Sequence, residues 1–432
     1  MVAGALMQPL GIEAQSLPEV WTIQQCLEYA KAHNIQVNSL RLTTQSNEQD
    51  FLLSKAARDP NLSGSFVPDF THSKVRGTFG GIQSQSDFQN AYSAGSSVVL
   101  YNGGYLRNDL KQKQLQLQAS KFDLQAEENS ITLQITQAYL SILVAKENII
   151  YLQDLVVTSQ AQLAHGQILF KAGSIALKDL VQLQSQLATD KYNLVTAQNN
   201  LRQTSLNLKQ LLQLPSGYQI QVVQPDTVIQ VTAVTPLEEV QKMALTQRPE
   251  VQSSSLAIQM ARLDLSKAMA GSKPELTASG SLSTGYSSVG SGHYIRQLDN
   301  NFYQRIGLTL SIPIFNNRIV KTNIEKSKIA IQQSELNLKN TTTLLSQAVE
   351  QAYLDVLNAQ AQYEASVVQL DANKENYRIA TEQLRLGAVS TVDYLIQKNL
   401  YVQALQEYIQ AKYNALLTVK IYDFYKGQPV NL

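Results

Sequence analysis

Alternation of apolar and polar side chains marks the predicted strands. In residues 301–315 the even positions are apolar, with Gln304 as the exception, and the odd positions include Arg305 and Thr309. Residues 90–101 alternate in the same way. A period of two over ten or more residues indicates strands with one apolar and one wet face, which is typical of membrane barrels. We predict strands at about 61–78, 90–101, 275–288 and 301–315, with exposed loops in the Gly-, Ser- and Gln-rich stretches 71–90 and 286–300.

A second pattern predicts very long helices. Residues 104–170 contain no proline, and apolar residues step along part of this segment by four and three positions, as in a coiled-coil seam. A helix of this length measures about 100 Å. After a sharp turn at Gly173 or Gly387, a second long helix returns antiparallel. The seam contains Ala138, Ile142, Ala145, Ile149, Leu152 and Val156; the returning helices are predicted at 176–214 and 391–425, and shorter first helices at 22–57 and 236–270.

The second half of the chain repeats the first. Gly173 and Gly387 lie 214 residues apart, and the same offset carries residues 137–140 onto an identical segment at 351–354. The offset of 214 residues holds through helices and loops alike, which indicates that one unit was duplicated. A solenoid would repeat with a much shorter period. The predicted repeats are 21–214, with a helical hairpin at 103–214, and 235–426, with a helical hairpin at 317–426; residues 215–234 form the predicted linker.

Composition narrows the class of protein. The chain has 35 Lys and Arg against 34 Asp and Glu, and only 16% of its residues are charged. Because no basic excess is present, a nucleic-acid partner is not expected. A single cysteine, Cys26, excludes a disulfide framework. Residues 1–14 resemble the end of a secretory signal that is cleaved after Ala14, and no apolar run is long enough for a transmembrane helix.

The sequence offers no catalytic or cofactor chemistry. The four histidines are scattered without metal-ligand spacing, and no glycine-rich phosphate loop follows a strand. We therefore expect neither an enzyme nor a bound cofactor or metal. The scattered histidines are His33, His72, His165 and His293.

Four strands per chain are too few to close a barrel. Even the smallest filled barrels need about eight strands, and lipid does not tolerate the two unpaired edges of an open sheet. If the strands cross a membrane, the chain must oligomerise, and three copies supply twelve strands.

The turns between the long helices carry a family resemblance. Residues 172–174 and 386–389 each contain the turn glycine, and an aspartate, Asp179 or Asp393, follows six residues after it. This pattern, inside a duplicated order of helix, strand pair and long helical hairpin, resembles the TolC family of outer-membrane efflux and secretion channels. The resemblance covers nearly the whole chain after residue 14.

The resemblance implies a fold, a place in the cell and partners. The fold is mainly α with a β-barrel part: long antiparallel coiled-coil hairpins form an α-helical barrel, and four strands per subunit contribute to a trimeric 12-stranded transmembrane β-barrel. The homotrimer would lie in the lipid of a Gram-negative outer membrane and extend into the periplasm. It would serve as the exit duct of a tripartite efflux or type I secretion system, with a periplasmic adaptor docked on its tips and an inner-membrane pump behind the adaptor.

Two groups of site residues follow from the resemblance. The hairpin turns Gly173, Ser174, Gly387, Ala388 and Val389 would receive the adaptor, although both glycines also suit simple helix C-caps. A periplasmic gate would involve Lys171, Asp179, Arg385 and Asp393, with the two cations pairing with these acids across hairpins to hold the tip shut. The two aspartates also suit helix N-termini, and Ile396 stands where an acidic residue would strengthen a ring around the tunnel.

The alternative class of function is structural. A periplasmic or surface coiled-coil protein without channel activity would explain the helical seams. It would not explain alternating strand pairs placed between the helices. Fractionation distinguishes the two, because only a channel is expected as heat-modifiable trimers in the outer membrane.

Overall fold

A computed structural model describes residues 18–76, 81–224 and 234–430. The predicted signal segment 1–14 lies outside the described residues, as do residues 225–233 of the predicted linker and the last two residues of the strand predicted at 61–78.

The described elements confirm the duplication. Each of the four helices in the first repeat has a counterpart 214 residues later with matching first and last positions. The first repeat contains α1 (Ile23–His33), α2 (Ile35–Ala56), β1 (Ser63–Arg76), β2 (Ile82–Asn102), α3 (Tyr105–Lys171) and α4 (Leu177–Leu211). The second contains α5 (Leu237–Gln247), α6 (Pro249–Ala270), β3 (Glu275–Ser287), α7 (Tyr294–Asn300), β4 (Tyr303–Ser311), α8 (Ile319–Arg385) and α9 (Thr391–Tyr425).

The first predicted helix of each repeat is in fact two helices. Asn34 has extended backbone angles, and its side-chain oxygen accepts the Gln36 amide at 2.8 Å, so it ends α1 and caps α2. In the second repeat the break falls at Arg248, whose ψ of 132° is the extended conformation that a following proline, here Pro249, imposes. The prediction of unbroken helices at 22–57 and 236–270 was wrong because apolar spacing continues across both breaks.

The strands also differ from their predicted limits. β1 and β2 remain paired from Ser63 opposite Gly95 to Arg76 opposite Ile82, so most of the predicted loop 71–90 is a β-ladder. The side chains of this stretch are mostly polar on both faces, so the sequence shows no alternation there. The two strands still pair, because the ladder needs only backbone groups. The predicted loop 286–300 contains α7, and β4 ends at Ser311, two residues before Pro313, which has no amide hydrogen to donate.

The chain divides into two compact units, and the sheet belongs to the second, Ser39–Gln125 with Pro249–Thr343. All four strands pair antiparallel in the order β1-β2-β3-β4, with a register shift between Val99 and Tyr101. Strand alternation divides the side chains into two faces. One is apolar and includes Phe66, Phe70, Phe88, Tyr92, Val98, Leu276, Leu282, Ile306, Leu308 and Leu310; the other is rich in small polar residues and includes Ser65, Ser93, Ser97, Ser279, Ser281, Ser283 and Thr309.

The first unit takes in the described parts of Met1–Asn38, Ala126–Arg248 and Leu344–Leu432. In the first repeat the buried Tyr139 on α3 donates its hydroxyl to the Val223 carbonyl at 2.6 Å. In the second repeat Tyr422 on α9 donates to the Thr235 carbonyl at 2.9 Å, within a core that includes Val240, Val349 and Val356. None of the described helices is apolar enough along its length to cross a membrane.

Candidate functional site at the hairpin tips

Two helical hairpins end in turns of the same geometry. The first hairpin is α3 with α4, and its tip is residues 172–176; the second is α8 with α9, and its tip is residues 386–390. At the first tip the Ser174 amide donates to the Leu169 carbonyl at 2.8 Å, and at the second the Ala388 amide donates to Gln383 at 2.8 Å. These six-to-one bonds belong to Schellman motifs, which satisfy the last carbonyls of α3 and α8.

Glycine is required by the backbone at both tips. Gly173 has a φ of 71° and Gly387 a φ of 67°, in the left-handed region that other residues enter only at a cost of about 1 kcal/mol. A Cβ atom added to either glycine would meet no other heavy atom of the described chain within 4 Å. Close packing inside the chain therefore does not explain these glycines, and their backbone remains open to a partner.

The predicted aspartates begin the returning helices. The Asp393 amide donates to the Ser390 hydroxyl oxygen at 3.2 Å, and that hydroxyl donates to the Asp393 carboxylate at 2.6 Å. The Asp179 carboxylate accepts the Ala176 amide at 3.3 Å. Both carboxylates thus satisfy groups at the positive ends of α4 and α9.

A groove of about 520 Å³ lies between the two tips. It brings together five of the nine predicted site residues, namely Ser174, Asp179, Arg385, Gly387 and Val389, while Lys171, Gly173, Ala388 and Asp393 are not among its lining residues. Its wall includes Gly166, where a Cβ atom would lie 2.6 Å from the Leu183 side chain. Gly166 therefore allows α3 and α4 to approach closely just above the first tip.

Large apolar side chains surround both tips and are exposed in the single chain. Leu177 begins α4, and Leu386 directly precedes Gly387; they are 60% and 70% exposed. Exposed apolar residues grouped around open backbone are typical of a docking surface. The other exposed apolar residues near the tips are Ile168, Phe170, Val181, Val392 and Ile396.

The predicted gate cations, Lys171 and Arg385, do not pair with the predicted gate aspartates in the part of the chain that the structure describes. Arg385 donates to the Glu382 carboxylate at 2.9 Å, within α8, and both side chains are exposed. Within the described part of one chain, neither Lys171 nor Arg385 forms an ion pair with Asp179 or Asp393. The predicted pairing across hairpins is therefore absent within the described residues of a single copy, and pairing across the hairpins of different copies belongs to the proposal about the gate.

Sequence reasoning missed a buried polar cluster above the tips. Lys398 on α9 is fully buried and donates to the Asp190 carboxylate on α4 at 2.7 Å. Ser159 on α3 donates to the same carboxylate, and Gln186 donates to its other oxygen at 2.9 Å. Burial lowers the pKa of Lys398 below its ordinary value, against the pull of Asp190. The two charges are not repeated, because Lys398 has Gln184 as its copy and Asp190 has Ala404, but most side chains of α4 differ from their copies in α9, so this difference gives no distinguishing signal in the sequence.

Solved structures share this fold. CusC, described in terms of transmembrane channel formation, is 18% identical with a TM-score of 0.81 over 94% of this chain and 92% of its own. The CmeC outer membrane channel of Campylobacter jejuni is 19% identical with a TM-score of 0.79 over 94% and 86%. The open-state MtrE outer membrane channel of Neisseria gonorrhoeae is 18% identical with a TM-score of 0.75 over 94% and 88%. At these identities the likeness shows the fold alone.

Sequence comparison adds the family. No curated protein sequence matches this chain. The profile of the family described as "Outer membrane efflux protein" matches residues 27–213 and 240–420, which lie in the two repeats. Because these matches cover most of the chain, the protein belongs to the outer membrane efflux protein family.

Proposed function

We propose that three copies of this chain form the exit duct of a tripartite efflux or type I secretion system in a Gram-negative outer membrane. Twelve strands, four from each copy, close a β-barrel in the lipid, and the helical hairpins line a tunnel in the periplasm. Solutes cross the duct passively after a pump in the inner membrane has moved them. The family is one of outer-membrane channels, so the chain is not an enzyme.

The exposed apolar face of the sheet carries this proposal. On β4, Ile306 is 92% exposed and Leu308 is 69% exposed, while the opposite face of the sheet is lined with serines. Within the described residues β1 pairs only with β2, and β4 only with β3. A sheet with one apolar face fits lipid on that side and water on the other, but its two edges need partners. Other copies of the chain can supply them.

Membrane fractionation and conductance test the duct. We expect heat-modifiable trimers in the outer membrane, and single-channel currents when the purified trimer is inserted into planar lipid bilayers. A soluble or filamentous protein that gives no currents would favour the structural coiled-coil alternative. Trimers that insert without conducting would contradict the duct but not the membrane location.

The tips support a proposal about partners. A periplasmic adaptor would pack on Gly173, Ser174, Gly387, Ala388 and Val389, where open backbone lies beside exposed apolar side chains. The inner-membrane pump would then act on the duct through this adaptor.

The gate assignment also belongs to the proposal. Three copies of Asp393, with Arg385 and the first-hairpin residues Lys171 and Asp179, would surround the periplasmic mouth. Arg385 and Asp393 are exposed in the single chain. Exposed ion pairs are worth at most about 1 kcal/mol each, so such a gate would hold weakly and open when the adaptor binds.

A further inference from the structure

Two buried or half-buried lysines join the second hairpin to the first. Lys398 reaches Asp190 on α4 and Ser159 on α3, and Lys412 reaches Glu147 on α3 at 3.0 Å. Both lysines lie on α9, fourteen residues apart and therefore on nearly the same face of the helix. In both ion pairs the second hairpin provides the cation and the first hairpin the anion.

The duplication creates a pairing problem. Because α4 and α9 are copies of one helix, as are α3 and α8, the first hairpin of one chain resembles the second hairpin that it must pack against. The copied helices have the same lengths and positions, so the backbone alone does not distinguish correct from incorrect partners, and the side chains must do so. A first hairpin that met another first hairpin would find helices of the same length and position, although most of their side chains differ from those of the second hairpin.

The ion pairs exist only in the correct combination. If α4 packed against a second α4, Asp190 would face Gln184, which is the copy of Lys398. If α9 packed against a second α9, Lys398 would face Ala404, which is the copy of Asp190. Likewise Glu147 would face Gln198, the copy of Lys412. Each incorrect pairing removes a charge from water without its counter-charge, which is strongly unfavourable.

We infer that the Lys398–Asp190 ion pair, assisted by Lys412–Glu147, is a specificity determinant that makes a first hairpin pair with a second hairpin rather than with another first hairpin. The partner that the first hairpin selects is therefore the second hairpin, its own duplicate within this protein. The inference goes beyond the duct, since it concerns which helices associate and not what passes through them. Buried polar groups in coiled coils specify pairing in a comparable way, often at some cost in stability.

A disulfide between two copies of α4 tests the inference. Ala197 on α4 lines a groove together with Gln406 and Gln410 of α9. In the full chain carrying Ala197→Cys, correct pairing keeps the α4 helices of different copies apart. We expect little disulfide-linked dimer after mild oxidation, and at least about a tenfold increase when Lys398→Met and Asp190→Leu are added, because the neutral pair no longer penalises the incorrect partner.

Four variants separate specificity from stability. The single change Lys398→Met leaves Asp190 unpaired and should lower the Tm, whereas Lys398→Met with Asp190→Leu should recover it. The reversed pair Lys398→Asp with Asp190→Lys should keep the dimer at the low level of the parent. Lys398→Gln with Asp190→Asn provides a second neutral pair if the apolar pair does not fold.

The matched control neutralises an ion pair inside one helix. Glu375→Leu with Arg378→Met removes an exposed pair of α8 and should not increase the dimer. An equal increase in this control, or no increase in either neutral variant of Lys398 and Asp190, would overturn the inference. A monomeric parent protein would instead contradict the proposed duct. In that case an α4-linked dimer that forms only in the neutral variants would still support the pairing rule.

Discussion

Arg378 and Arg385 occupy equivalent positions one heptad apart on α8, and each bonds the glutamate three residues before it. Both arginine side chains are 65% exposed, so the two differ mainly in their distance from the second tip. This match allows the gate to be tested against a local control. An effect of Arg385 that Arg378 lacks must arise from its position near the mouth.

We expect Arg385→Ala with Asp393→Ala to increase single-channel conductance or open probability in planar bilayers. Each exposed pair contributes at most about 1 kcal/mol, a factor of about five, so loss of the three pairs in a trimer should raise the open probability by roughly a hundredfold at most. Arg378→Ala should leave both quantities at the parent value. Unchanged currents in the double variant, or an equal change in the control, would remove Arg385 and Asp393 from the gate.

Residues with a backbone role were accessible to sequence reasoning, and buried ion pairs were not. Gly173 and Gly387 stand out because a sharp reversal with positive φ requires glycine. Lys398 gives no such sign, since a lysine on a helix ordinarily lies in solvent. Its partner Asp190 is 208 residues away in sequence. Only the packing of α9 against α4 brings them together.

At the scale of elements, the helices were more predictable than the strands. Seams at four- and three-residue steps identified α3 and α8 because an apolar stripe repeats over many turns. β2 is 21 residues long, and its first part has mainly polar side chains on both faces, so alternation has no contrast there. The breaks at Asn34 and Arg248 were missed because the helical spacing of apolar residues continues across both of them.

The tips are the elements on which adaptor docking is tested. Ser174→Cys and Ala388→Cys place thiols at exposed tip positions, and Gln332→Cys places one at an exposed position of α8 as the control. Burial raises the pKa of the native Cys26 to about 12, so it stays protonated and unreactive near neutral pH. We expect a bifunctional thiol–amine reagent in whole cells to link both tips, but not Gln332→Cys, to a periplasmic adaptor.

Linking that is as efficient from Gln332→Cys as from the tips would contradict docking at the tips. The native chain, with Cys26 alone, reports any background reaction. Mass spectrometry of the linked product identifies the adaptor. Identifying the adaptor would reduce the number of candidate pumps, and the pump would in turn indicate which solutes are exported.

At the scale of the whole molecule, duplication gives the chain two matching sets of helices and strands. Across the residues that the structure describes, these sets together provide only four strands, so other copies are needed to close the proposed barrel. Two repeats give four strands and four long helices, and β2 pairs with β3 to join the repeats in one sheet. Nothing in a single chain pairs the outer edges of β1 and β4 among the described residues. The proposed barrel therefore requires β1 of one copy to meet β4 of the next.

Cysteines on one face of these two strands test this closure. Ser65 lies on the serine-rich face of β1, and Tyr303, Arg305 and Thr309 lie on the same face of β4. Side chains directly opposite in an antiparallel pair are about 5 Å apart at Cβ, close enough for a disulfide. We expect Ser65→Cys combined with a cysteine at one of the three β4 positions to give covalent dimers and trimers on denaturing gels. Ser65→Cys with Leu308→Cys, on opposite faces, should give none. Monomers from all three same-face pairs would contradict closure between β1 and β4, and would leave the apolar face of the sheet without the barrel that the proposed duct requires.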